Sequence, residues 1–225
     1  MARTRSLTYD DKRQSILDRS AELFARQGFP RTSIVEIAQA CNSSKALLYH
    51  YYESKEAVLY DILENHIRLL IDVARGALDE DGTPREKLHT LVHALMDVYV
   101  VARDKHIVLL NELGMLPAEQ QKHIIALENE VVDSFVRVVE GLRPELAENP
   151  HLRKAIAFAL LGMMNWTYTW FRAEGPLSAA DFAELATDLF LNGLAKFRVD
   201  RFTAESQSSK NAPVHRKRPR RARHV

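Results

Sequence analysis

The sequence is poor in cysteine, glycine and proline. It contains one cysteine, Cys41, among 225 residues, so an intrachain disulfide is excluded. With 8 Gly, 8 Pro and 46% hydrophobic residues, it is neither collagen-like nor of low complexity. Residues 1–11 contain no apolar run that would serve as a signal peptide. These absences predict a globular protein with a sizeable core, located in the cytoplasm.

Long apolar segments are also scarce, and the one candidate is residues 155–171. This segment has no charged residue, but it is shorter than the ~20 apolar residues of a membrane span and includes Asn165 and Tyr168. A helix of this kind in a globular chain is buried on nearly every side. We therefore expect it at the centre of a domain and at a subunit interface, and we expect no membrane association.

Sequence motifs of enzymes are missing as well. There is no glycine-rich phosphate loop and no Gly-x-Ser-x-Gly motif. His89 and His93 have the i, i+4 spacing of a metal-binding pair, but no glutamate lies between them and no cysteine is near, so we interpret them as solvated or hydrogen-bonded. The sequence predicts neither an enzyme, nor a cofactor, nor a metal site.

Charge is unevenly distributed although the net charge is only +1. Residues 1–55 carry a net charge of +3, residues 56–209 a net charge of −9, and residues 210–225 a net charge of +7. A polyanion such as DNA is attracted by the basic ends and repelled by the acidic middle. A nucleic-acid partner should therefore meet the N-terminal segment or the tail.

Apolar residues recur at helical spacing along the whole chain, and no hairpin pattern is found. We predict an all-α fold of about nine helices, the first from about Thr8 to Gln27. The stretch 40–43 interrupts two short helices in the N-terminal region, where Asn42 tolerates the left-handed conformation of a tight turn. The arrangement of helix, tight turn and helix is typical of DNA-binding proteins.

The second helix of such a motif enters the major groove, and the residues around it bind phosphates. Short residues at its start allow a close approach to base edges, polar rings behind them reach phosphate oxygens, and Lys55 offers a charge near the next helix. Thr32 and Ser33, which cap the preceding helix, are also predicted to bind DNA. Leu47, Leu48 and Tyr52 are expected in the core. The predicted DNA-binding residues are Thr32, Ser33, Ser43, Ser44, Lys45, Ala46, Tyr49, His50, Tyr51 and Lys55.

Three consecutive motifs in this region carry a specific resemblance: FARQGF at 24–29, TSIVEIA at 32–38 and SKALLYHYYESKEAVL at 44–59. Together they closely resemble the DNA-binding domain of the TetR/AcrR transcriptional regulators over about residues 10–60. Asn42 stands where the family usually has Gly, and Ala46 replaces a frequent Gly. The second departure changes the surface presented to the groove and leaves the base preference open.

The resemblance implies a homodimer of two-domain subunits that binds a palindromic double-stranded DNA operator. A three-helix head (1–55) would bind DNA, a helical body (56–200) would bind an effector and dimerise, and 201–225 would be a basic disordered tail. The uncharged helix at 155–171 and the amphipathic helix at 178–197 are the segments most in need of a partner. The predicted interface residues are Leu161, Phe182, Leu185, Leu189 and Phe190.

The body resembles a narrower group more weakly, through GMMNWTYTWF at 162–171 and GPLS at 175–178. These segments look like those of TetR-type regulators of fatty-acid, phenylacetate and steroid catabolism, which respond to acyl-coenzyme A thioesters. An apolar tunnel suits an acyl chain, and polar or basic groups would meet a carbonyl or phosphates. The predicted ligand-binding residues are Tyr99, Arg103, His106, Asn111, Met115, Phe135, Met163, Asn165, Trp166, Tyr168, Trp170 and Arg172.

Three alternatives remain open at this stage. The tryptophans and methionines of the 162–171 segment have the spacing of core or dimer-interface residues as much as of a pocket. A multidrug-efflux repressor of the same fold would bind lipophilic cations through a buried carboxylate such as Glu112, Glu128 or Glu130. A helical enzyme or adaptor that uses the head for protein contacts is the alternative from another functional class.

Overall fold

The computed structural model describes residues 2–200 and 202, and every regular element in them is helical. The α-helices are α1 (Ala2–Gln27), α2 (Ile34–Ala40), α3 (Lys45–Tyr51), α4 (Lys55–Asp79), α5 (Pro84–Val101), α6 (Arg103–Glu112), α7 (Ala118–Leu142), α8 (Pro150–Asn165), α9 (Thr167–Trp170) and α10 (Ala179–Ala195). Short 3₁₀ helices, Leu113–Met115 and Pro144–Glu148, precede and follow α7. The all-α prediction is confirmed: α9 is a single turn, and the other helices correspond to the nine expected.

Side chains that satisfy free backbone amides fix where several helices begin. In a capping box, the cap hydroxyl accepts a hydrogen bond from the third helical amide, and the carboxylate three residues on accepts one from the cap amide. Such boxes open α2, α5 and α10. Their pairs are Ser33 with Glu36, Thr83 with Glu86, and Ser178 with Asp181. Each box stabilises its helix by about 1 kcal/mol.

Two helix bounds differ from the sequence prediction. The backbone of α1 is helical from Ala2 rather than from Thr8, since the intervening Ala, Arg and Leu residues are good helix formers. The helix that starts at Pro150 ends at Asn165, where it was expected to continue towards Gly175. The hydroxyl of Thr167 donates to the carbonyl of Met164 at 2.6 Å, and this local bond competes with a regular helix.

The helices pack around one continuous apolar core that includes residues from α1 to α10. α1 packs against α2, α4 and α6, and α2 packs against α3. In the remainder, α4 contacts α5 and α7, α7 contacts α8, and α10 lies against α5 and α8. α4 and α6 therefore both connect the N-terminal helices with the rest of the fold. The division at residue 55 stays a prediction, and the tail 201–225 lies outside the described residues except for Phe202.

The expectation that the uncharged helix is buried on nearly every side is wrong for the single chain. Leu160 and Met164 of α8 are fully buried, but Phe158 and Trp166 are 50% and 62% exposed. An apolar face of α8 is therefore open in this chain. Among the described residues, no helix combines the length and the apolar character that crossing a membrane requires.

Candidate functional site

The turn between α2 and α3 has the geometry of a helix-turn-helix. Asn42 adopts a φ of 48°, the left-handed conformation expected from the sequence. The amide of Ser43 donates to the carbonyl of Ala38 at 2.8 Å, which closes the end of α2. Ser44 then caps α3, because its hydroxyl accepts from the amide of Leu47 at 3.1 Å. This short turn orients α3 across α2 and leaves the outer side of α3 free.

The outer side of α3 is open to solvent and presents both polar and apolar side chains. Leu48 is fully buried and is the only buried residue of α3, so it anchors the helix on the core. Most of the predicted DNA-contacting side chains are exposed around it. The exposed members are Ser44, Lys45, Ala46, Tyr49 and His50. A helix of this size with one buried anchor is suited to enter a DNA major groove.

Two aromatic residues, Tyr51 at the end of α3 and Tyr52 directly after it, hold the C-terminal end of this helix. The ring of Tyr51 stacks on the ring of Tyr9 from α1, with centroids 4.7 Å apart. Tyr52 is buried, as predicted, and its hydroxyl donates to the carboxylate of Asp61. Leu47 corrects the sequence prediction, since its side chain is 38% exposed rather than in the core. It points an apolar group outwards beside Lys45, where the methyl group of thymine is a suitable contact.

Two of the predicted DNA-binding residues have internal roles instead. Thr32 is buried, and its hydroxyl donates to the carbonyl of Gly28 at 2.9 Å, so its side chain cannot reach DNA. The ammonium group of Lys55 donates to the carbonyls of Phe29 and Thr32 at 2.7 and 2.8 Å, and it lies 4.1 Å from the centroid of the Phe29 ring. Lys55 thus stabilises the loop between α1 and α2. Ser33 is exposed and caps α2, and Ser43 is half-buried.

A cavity of about 330 Å³ lies in the body. It is formed by residues of α4 to α8, and most of its lining is aliphatic or aromatic. The polar groups that line it are Tyr99, His106, Glu128, Asn129 and Asn165. A mostly apolar cavity with a few polar groups is typical of a small-molecule site, and the volume is at the small end of the range of about 300–1,000 Å³ for such sites.

His106 is the most constrained polar group of the cavity. Its ring stacks on that of Tyr99 with centroids 3.6 Å apart, and its Nδ1 lies 3.2 Å from Nε2 of the buried His66 on α4. Burial lowers the pKa of His106 to about 3 and that of His66 to about 4, so both rings are neutral at pH 7. A neutral pair can share one hydrogen bond, in which one ring donates and the other accepts.

Two buried polar atoms of the cavity lining lack a well-formed hydrogen bond. Nε2 of His106 and Oδ1 of Asn165 are buried, and neither makes a hydrogen bond of good geometry among the described residues. The Asn165 side chain lies near the His106 ring and opposes, to a small extent, the lowering of the His106 pKa by burial. Burial also raises the pKa of the Glu128 carboxyl, which lines the same cavity. An unsatisfied buried polar atom costs about 1–3 kcal/mol, and a ligand that hydrogen-bonds to it removes this cost.

The predicted ligand-binding residues divide into three groups. Tyr99, His106 and Asn165 line the cavity. Arg103 and Tyr168 line a small space of about 40 Å³ that Tyr99 and His106 also border. There the Arg103 guanidinium donates to the carbonyl of Tyr168 at 2.9 Å. The remaining members, which do not line either space, are Asn111, Met115, Phe135, Met163, Trp166, Trp170 and Arg172.

These remaining residues have other surroundings. Phe135 is fully buried in the core, whereas Met115 is 45% exposed. Arg172 is exposed and donates to the carbonyl of its neighbour Phe171. The hydroxyl of Tyr168 lies 3.4 Å from Oδ1 of Asn111, outside the cavity. Helical spacing cannot separate a cavity wall from the core or the surface, because all three show the same period.

Met163 and both tryptophans belong to an open apolar groove between α8 and α10. Phe182, Leu185 and Leu189 line the same groove. Of the predicted interface residues, Leu185 and Leu189 are exposed on this face. Phe182 and Phe190 are buried within the chain, and Leu161 lines the cavity. The 162–171 segment thus contributes to two places: Asn165 to the cavity, and its tryptophans to the apolar face.

α6 connects the cavity with the DNA-binding helices. His106 and Leu109 of this helix line the cavity. At the N-terminal end of α6, the ammonium of Lys105 forms an ion pair with Asp18 of α1 at 2.7 Å. At its C-terminal end, the carboxylate of Glu112 accepts a hydrogen bond from the amide of Phe29 at 3.1 Å. A displacement of α6 by a ligand would therefore act on α1 and on the loop before α2.

Comparison with known proteins finds two family profiles that match the chain. The family profile for bacterial regulatory proteins of the tetR family matches residues 16–62, and the profile for a tetracyclin repressor-like C-terminal domain matches residues 81–194. A TetR-family transcriptional regulator from Bordetella parapertussis is 39% identical, covers 83% of this chain and 97% of its own, and superposes with a TM-score of 0.79.

Two further relatives are an operator-binding protein and a transcriptional repressor. AibR, solved in complex with isovaleryl coenzyme A and operator DNA, is 27% identical over 79% of this chain and 97% of its own, with a TM-score of 0.69. The transcriptional repressor KstR2 of Mycolicibacterium smegmatis is 22% identical over 84% of this chain and 94% of its own. The Bordetella parapertussis protein is thus a transcriptional regulator, and KstR2 is a transcriptional repressor.

Proposed function

The chain belongs to the TetR family of DNA-binding transcriptional regulators, and from this we propose that it is a dimeric repressor that an acyl-coenzyme A thioester releases from a palindromic operator. The observation that carries the proposal is the apolar cavity with two unsatisfied polar atoms, connected through α6 to the DNA-binding helices. The complex of AibR with isovaleryl coenzyme A and operator DNA supports the choice of ligand.

DNA binding is assigned to α3 and the residues before it. Ala46, Leu47 and Tyr49 enter the major groove, and Lys45 and His50 contact the flanking phosphates. A two-fold dimer places two such helices about 34 Å apart, one turn of DNA, so the operator is palindromic. The exposure of these side chains around the buried Leu48 supports the assignment.

Dimerisation is assigned to α8 and α10. Trp166, Trp170, Leu185 and Leu189 present a contiguous apolar groove, and Leu189 is 60% exposed. Packing this face on the same face of a second chain buries it in an isologous four-helix contact. Phe182 and Phe190 support the face from below, since they are buried in the chain.

The cavity accommodates the acyl part of the effector rather than the whole coenzyme. The thioester carbonyl accepts a hydrogen bond from Nε2 of His106 when His66 donates to Nδ1, the tautomer in which Nε2 carries the proton. The coenzyme then extends past Arg103, whose guanidinium is exposed beside the smaller space. Lys105 is engaged in its ion pair with Asp18, whereas Arg103 and Arg172 each donate to one backbone carbonyl and have further N–H groups for a phosphate.

A second candidate effector is a lipophilic cation, as in an efflux regulator of the same fold. Glu128 favours this reading, because its carboxyl lies in an apolar cavity. A cation would hold this carboxylate ionised, whereas burial in the apolar cavity raises the pKa of the Glu128 carboxyl and favours the neutral acid.

Release follows from differential binding to two conformations. A ligand that fits the cavity only when α6 has moved favours that position by the difference in its affinities. α6 transmits the movement through Lys105 to α1 and through Glu112 to the loop before α2. A small change in the separation of two α3 helices is enough to break the match to half-sites one turn apart.

The experiment is a footprint on the DNA upstream of the protein's own gene, with and without effectors. The panel contains short, long and aromatic acyl-coenzyme A thioesters, the corresponding free acids, and lipophilic cations, and calorimetry measures their binding. We expect thioesters to bind and to remove the footprint, and free acids to bind much less well. Binding of cations alone would replace the acyl-coenzyme A reading by the efflux reading.

A further inference from the structure

His89 and His93 on α5 meet a third potential metal ligand that their sequence neighbourhood does not contain. Nε2 of His89 lies 2.5 Å from Oε2 of Glu184 on α10, and Nε2 of His93 lies 3.4 Å from the same oxygen. The two imidazole rings are stacked with centroids 4.2 Å apart. Glu184 follows His89 by 95 residues in the chain, so sequence spacing could not reveal it.

The three side chains have the geometry of an incomplete tetrahedral site. Their ligand atoms all lie within 4.8 Å of one another. Ligands about 2.0–2.1 Å from a tetrahedral Zn²⁺ are separated by about 3.3 Å, so small rotations of the side chains suffice to bind it. Nε2 of His93 is buried and makes only the long 3.4 Å contact with Glu184, a member of the same cluster, so a cation can take this nitrogen as a ligand.

We propose that His89, His93 and Glu184 form a binding site for a divalent cation that prefers imidazole, of which Zn²⁺ is the representative. Two imidazoles and a carboxylate leave the fourth position to water, since His89 and Glu184 are each about half exposed. Mg²⁺ is excluded by chemistry, because it prefers oxygen ligands and six-fold coordination.

The site would fasten α10 to α5. α10 carries Leu185 and Leu189 of the apolar face. Glu184 is turned by about 100° around the helix from Leu185 and lies against His89 of α5. The bound cation therefore does not compete with a partner on that face. It stabilises the position of α10 against the body, and the proposal does not depend on the identity of the effector.

The test is calorimetric titration of the full chain with Zn²⁺ after removal of metals by a chelator. We expect one site per chain that the His89→Ala/His93→Ala double variant lacks and that Glu184→Gln weakens at least about tenfold, a loss of about 1.4 kcal/mol. His151→Ala is the matched control, because it removes an exposed histidine outside the cluster and should leave the site intact. Mg²⁺ should not bind.

A second measurement keeps the test independent of folding defects. Zn²⁺ should raise the melting temperature of the wild-type chain and of His151→Ala, and should leave that of Glu184→Gln nearly unchanged. Circular dichroism verifies that each variant is folded. Equal Zn²⁺ stoichiometry and affinity in the wild type and the double variant would overturn the proposal, as would a wild-type chain that binds no Zn²⁺.

Discussion

The carboxylate of Glu112 accepts a hydrogen bond from the backbone amide of Phe29 at 3.1 Å. The carbonyl of the same Phe29 accepts one from Lys55 at 2.7 Å. The loop before the helix-turn-helix is thus held from two sides, by α6 through its amide and by α4 through its carbonyl. Because α6 also lines the cavity, the bond from Glu112 is one of two connections, with the Lys105–Asp18 ion pair, between the cavity and the N-terminal helices.

Replacing Glu112 by alanine should weaken the response to effector without weakening effector binding. The substitution removes a bond of about 1 kcal/mol, which corresponds to about fivefold in the effector concentration that releases the operator. Glu112→Gln is the matched control, since its amide oxygen still accepts from Phe29. Calorimetry measures the affinity for the effector, and operator titrations measure the effector concentration that releases the DNA. Equal release curves for Glu112→Ala and the wild type would show that Glu112 does not transmit the signal.

Lysine substitutions should separate structure from DNA contact. Lys55→Ala removes two part-buried hydrogen bonds from a cation to backbone carbonyls and should lower the free energy of unfolding by about 1–3 kcal/mol. Lys45→Ala on the exposed side of α3 should leave stability unchanged and reduce the slope of log K against log salt by about 1.

Denaturant unfolding and operator titrations at several salt concentrations measure both effects. A Lys55→Ala variant that is as stable as the wild type but has a reduced salt slope would instead support the phosphate contact that the sequence predicted. A Lys45→Ala variant with an unchanged slope would move the phosphate contacts away from α3.

The sequence predicted local features well and tertiary ones less well. Asn42 in the left-handed turn and Ser33 with Glu36 in a capping box follow from chemistry within a few residues, and both are observed. The sequence offered Glu128 only as one of three carboxylates that could bind a lipophilic cation, and it did not predict that Asn129 lines the cavity. Neither carries a local signal, because lining a cavity depends on how α7 packs against distant helices.

The buried histidine pair should make stability depend on pH. Unfolded histidines have a pKa of about 6.5, whereas burial lowers that of His66 to about 4 and that of His106 to about 3. Above pH 6.5 neither state binds these protons, and between pH 6.5 and 4 the unfolded state binds more. The free energy of unfolding therefore falls as pH falls, by about 1.4 kcal/mol per pH unit for each histidine.

Denaturant titrations from pH 7.5 to 4 measure this dependence. His106→Gln should reduce the slope by about one proton over the window, and His151→Gln, in an exposed position, should not change it. An identical slope in wild type and His106→Gln would show that the ring is protonated in the folded chain.

A charge on the apolar face should dissociate the dimer without unfolding the chain. Leu189→Glu places the charge on a side chain that is 60% exposed in the single chain, so the monomer tolerates it and the dimer does not. Phe190→Glu should unfold the chain instead, because this neighbouring side chain is buried. Analytical ultracentrifugation and thermal melting distinguish the outcomes, with Val101→Glu as the control at an exposed position outside the groove. A dimeric Leu189→Glu variant would place the interface elsewhere.

The two candidate effectors predict different changes in ligand affinity for Glu128→Gln. A lipophilic cation needs the ionised carboxylate, so an amide of the same shape should reduce its affinity at least about tenfold. A thioester is uncharged where it meets the cavity, and the neutral amide replaces a carboxyl that burial already favours in its neutral form, so its affinity should change less than about threefold. His106→Phe is the complementary variant, since it removes the Nε2–H group proposed to donate to the thioester carbonyl and should weaken the thioester more than the cation. Calorimetry of both ligand classes on both variants decides the matter: a thioester that tolerates His106→Phe but not Glu128→Gln would contradict the proposed orientation of the acyl group in the cavity.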